Sequence, residues 1–213
     1  LPEIVLSDPE LTISLPPQIT AATGIDAFVH CFEAFCTKAY HPMADGIALE
    51  GMRLIAHALP RAYDDGEDIE ARAHMLTAAT MGATAFQKGL GGVHALAHTV
   101  GAQFGVHHGL ANAIFLPYVI QANRSAITDK VVLLARLLNL TLRDFDTFLD
   151  WVLHFRAQLG IPHTLAEIDL SEDLAEKMGA LAYSDPVSGG NPVPLSIEDY
   201  VTIFRNAVLG KLP

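Results

Sequence analysis

Positive charge is scarce in this sequence. Across 213 residues, 13 lysines and arginines stand against 24 aspartates and glutamates, a net charge of -11. No Lys/Arg cluster occurs anywhere along the chain. Nucleic acid and anionic membrane are therefore not expected partners, because both are bound through clustered cations. Cysteine is also rare: Cys31 and Cys36 lie five apart in a segment of helical pattern. At that spacing they point to different faces, so no disulfide is expected and a reducing, cytoplasmic setting is. No run approaches the roughly 18 uninterrupted apolar residues of a membrane span, and no secretory signal peptide is visible. Repeats and low-complexity stretches are missing as well.

What is present is apolar. Hydrophobic residues make up 51% of the chain, and the mean hydropathy of +0.31 is high for a free-standing domain. The excess is expected to meet another domain or a further subunit, so a homo-oligomer is expected. A length of 213 residues fits one large domain with a real core. The chain opens on Leu1-Pro2 rather than methionine, so a fragment or a processed chain is the expectation.

Residues 1–17 read as a strand or linker, with Asp8-Pro9 and Pro16-Pro17 as breakers. From residue 18 to 213 the pattern is helical. Ile25, Phe28, Val29, Phe32 and Phe35 have the three-four spacing of a buried helix face. His41-Pro42 divides that helix from the next, which is predicted to run to Pro60. After the acidic loop DDGED comes an alanine-rich helix suited to close packing. Further helices are predicted over Thr128–Asn139, Leu142–Gly160 and Ser171–Ala182, the last initiated by SEDL. A Gly/Pro/Ser loop then leads to a final helix capped by Ser196. The fold class is all-α, with eight to ten helices.

Chemistry is concentrated in GLGGVHALAHTVGAQFGVHHGLANAIFLP, residues 89–117, which holds four of the ten histidines. His94 and His98 are four apart and share a face if the segment is helical. The glycines that follow predict a tight turn and a second helix entered at His108. Upstream, Asp26 and His30 form another i,i+4 pair amid apolar neighbours, and a buried aspartate must be paired, hydrogen-bonded or on a metal. Either pair alone is readily a set of satisfied polar residues. Together they point to a site, since one carboxylate with two or three imidazoles is a recurrent shell for divalent iron or zinc. Glu33 reads as a solvated or salt-bridged helix residue and Lys88 as a surface charge. His41, His57, His74, His154 and His163 have no companion at ligand spacing.

These two stretches resemble the iron-containing (group III) alcohol dehydrogenases. The family's GxDAxxHxxE motif stands here as Gly24 to Glu33, and its GxxHxxAHxxGxxxxxxHGxxNAxxLP motif as Gly91 to Pro117. DPELT near the start and NPVPLSIEDY near the end match too, so the resemblance spans nearly the whole chain. Where the family often has proline before its last ligand, this chain has His107. The resemblance implies an all-helical domain of the dehydroquinate synthase-like type, with an α/β nucleotide-binding domain missing from its N-terminal side. It implies metal ligands Asp26, His30, His94 and His108, and His98 as the non-ligand histidine beside the nicotinamide, a candidate proton relay. The implied cofactors are Fe2+, with Zn2+ possible, and NAD or NADP held mainly by the missing domain. The implied substrate is a small alcohol or aldehyde.

Elementary chemistry agrees with that set. Alcohol oxidation removes a hydroxyl proton and a hydride from one carbon; a metal can act as Lewis acid, and a histidine can pass the proton to solvent. The hydride needs a cofactor, since no side chain accepts it. No strand, Gly-rich turn and helix follow one another here, so a dinucleotide fingerprint is absent from the sequence. Gly89-Leu90-Gly91-Gly92 is a weak look-alike better suited to close backbone packing. The alternatives are a zinc-dependent polyol dehydrogenase of the glycerol type and a non-enzymatic helical interaction domain. HExxH, ExxH and His-Asp patterns are lacking, which disfavours metalloprotease, ferritin-like and metallohydrolase readings.

Overall fold

A computed structural model describes residues 3–212, and Leu1, Pro2 and Pro213 lie outside that range. The described residues contain no strand. Residues 3–8 carry no regular structure, and Pro9–Thr12 form a short 3-10 turn capped by Asp8, whose Oδ1 accepts from Glu10 N at 3.0 Å. Nine α-helices follow among the described residues: α1 (Pro17–Cys36), α2 (Pro42–Asp64), α3 (Ile69–Ala85), α4 (Gly92–Phe104), α5 (His108–Ala122), α6 (Arg124–Leu137), α7 (Phe145–Gln158), α8 (Ala175–Ser184) and α9 (Ile197–Leu209).

The central element is α1, in which 14 of 20 residues are buried. A helix apolar nearly all round has to be enclosed by others, and α1 packs against α2, α3 and α5. By length and composition it could also cross a membrane, but 78% of its apolar window is buried within the fold. Its aromatic face meets α7: Phe28 lies 5.7 Å from Trp151 and 6.2 Å from Phe155, and Phe32 stacks on Phe148 at 5.9 Å. Such ring pairs each add about 0.5–1.5 kcal/mol beyond burial.

Several boundaries differ from the sequence pattern, each for a local reason. Pro60 does not end α2, which runs on to Asp64. Proline costs one backbone bond and a local clash, and the packing of Ala58, Leu59 and Ala62 on both sides outweighs that loss. α6 starts at Arg124, directly after α5, because the Asn123 backbone closes one helix and opens the next. α7 begins at Phe145, where Asp144 Oδ1 accepts from Thr147 N at 2.8 Å. Ser171 bonds Asp173 rather than a helix amide, so a 3-10 turn precedes α8, which starts at Ala175. Ser196 caps α9, as its sequence predicts, and forms a capping box with Asp199.

Pro117 lies inside α5 and has no N–H for the Ala113 carbonyl. The guanidinium of Arg156 on α7 replaces that donor, with Nη1 at 2.9 Å from Ala113 O and 3.0 Å from Ile114 O. Arg156 is 2% exposed, and burial pulls its pKa down to about 10.

Candidate metal centre

Three helices deliver the site. Asp26, His30 and Glu33 are spaced four and three apart on α1, which puts them on one stripe. His94 and His98 share a face of α4, and His108 is the first residue of α5. Between α4 and α5 the chain turns at Gly105, whose φ of 69° lies in the left-handed region. Gly109 then lets α5 touch α1: a Cβ there would sit 2.2 Å from Ala22 O and 3.1 Å from Asp26 Cβ. Any larger residue would lift His108 away from Asp26.

The structure brings Asp26, His30, His94 and His108 together, with one nitrogen or oxygen of each within 4.8 Å of the others. Asp26 is the hub. Its Oδ1 lies 3.8 Å from His94 Nε2 and 3.5 Å from His108 Nε2, and its Oδ2 lies 3.8 Å from His30 Nδ1. Asn112, one turn into α5, donates from Nδ2 to Asp26 Oδ1 at 2.6 Å and also approaches His108 Nε2 at 3.0 Å. The exposures describe a shallow well: the His94 side chain is 1% exposed at its floor, Asp26 and His30 are each 21%, and His108 and His98 each 41% at the rim.

Protonation follows from the partners. Glu33 accepts from Gly91 N at 3.1 Å, from Val93 N at 2.7 Å and, at 3.4 Å, from His94 N. With its oxygens acting as acceptors, the 2.7 Å contact to His94 Nδ1 requires the proton on Nδ1. The lone pair of His94 is thereby on Nε2, a buried atom with no hydrogen-bond partner in the protein. Burial lowers the pKa of His30 and of His108, against an opposing pull from Asp26. Both shifts favour the neutral ring that metal ligation requires.

The donor set therefore fits a divalent cation: one carboxylate and three imidazoles, with an orphaned nitrogen at the floor. A buried unpaired nitrogen costs about 1–3 kcal/mol, and coordination removes that cost. His98 stands outside this set, its ring stacked on His108 at 5.4 Å and 17° and its Nδ1 bonded to Asp185 Oδ2 at 3.0 Å.

Glu33 and Lys88 depart from their sequence readings. Glu33 is 5% exposed and works inside the site. Its place on the Asp26 stripe, on an otherwise buried helix, was the available signal. The Lys88 side chain is 1% exposed and reaches Asp45 at 2.5 Å and Phe35 O at 3.4 Å, so it neutralises the C-terminal end of α1. Asn112 and Asn191 stand in the resembled stretches but were given no role there, and Asp185 lies in neither. Asn191 Oδ1 accepts from Gly92 N at 3.0 Å. The first amides of α4 are thus taken by Glu33 and Asn191, and the Gly89–Gly92 stretch serves packing. Of the remaining histidines His107 is exposed beside His108 and the others stay apart: His41 caps α2, His57 is exposed, His74 is half-buried, His154 bonds Asp150 O and His163 meets Arg156.

Comparison with known proteins gives the family. The model of the Fe-containing alcohol dehydrogenase family, C-terminal, matches residues 20–208. The chain is 40% identical to the 4-hydroxybutyrate dehydrogenase of Cupriavidus necator over 98% of its own length and 56% of the relative's. It is 34% identical to the NAD-dependent methanol dehydrogenase of Bacillus methanolicus over 97% and 56%. The crystallised iron-containing alcohol dehydrogenase of Thermococcus thioreducens superposes with a TM-score of 0.91 at 31% identity, covering 99% of this chain and 56% of that one. The chain thus spans a little over half the length of these relatives. On the family match, and on the helices and histidine arrangement just described, it belongs to the Fe-containing alcohol dehydrogenase family, within that family's C-terminal region.

Proposed function

We propose that this chain is the metal-binding catalytic part of an NAD(P)-linked alcohol dehydrogenase that interconverts a small alcohol and its aldehyde. The observation that carries this reading is the convergence of Asp26, His30, His94 and His108 within 4.8 Å, with His94 Nε2 buried and unpartnered. These four residues would hold the metal, with ferrous iron the favoured ion. In the balanced reaction the alcohol and the oxidised dinucleotide give the aldehyde, the reduced dinucleotide and one proton. When bound, a divalent cation supplies Lewis acidity toward the hydroxyl oxygen and a nicotinamide supplies the hydride acceptor.

The chain's own residues do the rest. Asp26 brings negative charge to the cation, and Glu33 holds His94 in one tautomer. His98, at the exposed rim and one turn from His94, accepts the hydroxyl proton and passes it to solvent. The dinucleotide would be held mainly by an α/β domain outside these 213 residues.

The test is metal analysis together with dehydrogenase assay. Near-stoichiometric iron or zinc, with NAD(P)-linked oxidation of small primary alcohols by the whole enzyme, supports the reading. A protein that takes up neither ferrous iron under anaerobic conditions nor zinc overturns it.

A further inference from the structure

We propose that Asp185 is a positioning residue that sets the tautomer and ring orientation of His98, leaving His98 Nε2 as a bare proton acceptor beside the four-residue cluster. This rests on the reading of His98 as the proton relay. Asp185 comes from the loop between α8 and α9, 87 residues from His98, yet its Oδ2 lies 3.0 Å from His98 Nδ1. Its other oxygen accepts from Val187 N at 3.0 Å. A carboxylate has only lone pairs to offer, so the Nδ1 of a neutral His98 carries the proton and Nε2 does not. The ring is further confined between the face of His108 and the edge of His94, at centroid distances of 5.4 and 5.9 Å.

The loop is built to deliver that carboxylate. Ser188 Oγ meets the hydroxyl of the buried Tyr200 at 2.7 Å. Asn191 exchanges bonds of 2.7 and 3.0 Å with Asn123 and accepts from Gly92 N at the start of α4. Asp185 is thereby tied to the same helix that carries His98. The backbone bond to Val187 needs only Oδ1. Oδ2 remains for His98, and the Asp185 side chain is 15% exposed, well below the 41% of its partner.

The discriminating variant is Asp185→Asn. Asparagine keeps an oxygen for Val187 N, so the loop stays capped, but it can turn its NH2 toward His98 and drive the proton to Nε2. Long-range proton–nitrogen NMR on histidine-labelled protein, with and without Zn2+, reads the tautomer directly. The expected result is Nδ1–H in the parent and Nε2–H in Asp185→Asn. In the whole enzyme kcat should fall at least tenfold with KM and metal content unchanged, and Asp185→Glu should recover part of it. An Nε2–H tautomer in the parent, one tautomer shared by parent and Asp185→Asn, or an unaltered kcat in Asp185→Asn overturns the proposal. Full kcat in His98→Gln would instead sink the relay reading itself, a failure to which the NMR result is blind.

Discussion

The carboxylate of Glu33 lies 2.7 Å from Nδ1 of His94 and at the same time receives backbone N–H groups at the start of α4. One buried side chain therefore sets the position of the helix and the direction of the His94 lone pair. Glu33→Gln keeps the shape and removes the charge. A carboxamide can still accept, but its bonds are weaker and its NH2 can contest Nδ1 of His94. Loss of such a partner behind a ligating histidine weakens metal binding by roughly 10–100-fold. Chelator competition on the purified variant measures it, and parent-like affinity would show that the carboxylate is dispensable.

The ligand cluster and His98 should separate by phenotype. His94→Ala and His108→Ala remove nitrogens that face Asp26, and each is expected to lower metal content. His98→Ala removes a ring whose hydrogen bond goes to Asp185. It should keep its metal and lose kcat by roughly 10²–10⁴-fold, the usual worth of a general base. Elemental analysis beside steady-state kinetics reads both. Normal metal in both ligand variants would overturn the assignment.

Metal removal should be visible in stability. A ligand that binds only the folded state at 100 times its Kd adds about 2.7 kcal/mol. For a chain of this size that is a rise in Tm of roughly 5–10 °C. Thermal melts with and without zinc, and after chelation, give the value. His94→Ala should abolish the shift, and a shift that survives it would place the metal elsewhere.

Much of this was legible in the sequence because two periods coincide there. The four-residue spacing of Asp26 and His30, and of His94 and His98, is also the period of a buried helix face. Polar groups on such a face are costly unless they meet. The glycines after His98 likewise announced the turn that falls at Gly105, whereas the close approach at Gly109 emerged only from the fold. What sequence could not show was any partner that depends on a fold-level contact. Glu33 has to travel 58–61 residues along the chain to meet α4, and Asp185 has to travel 87 to meet His98. Lys88 looked solvent-facing because nothing local marks the end of α1 as its partner. Pro60 misled because proline's local cost was weighed without the packing around it.

The pairing of Pro117 with Arg156 can be tested as a unit. Arg156→Met leaves the Ala113 and Ile114 carbonyls without their guanidinium donor in a buried setting. An unmet buried acceptor costs about 1–3 kcal/mol, so clear destabilisation is expected in the single variant. Pro117→Ala restores an N–H of the right register to Ala113 O and should make the guanidinium less necessary. In that background Arg156→Met should cost less, with a coupling of about 1 kcal/mol between residues that share an acceptor. Arg156 also approaches His163 Nδ1 at 3.1 Å, so part of the loss should persist in the double variant. Urea unfolding of the four proteins in the cycle measures the coupling. Strict additivity would mean that Arg156 does not stand in for the missing proline N–H.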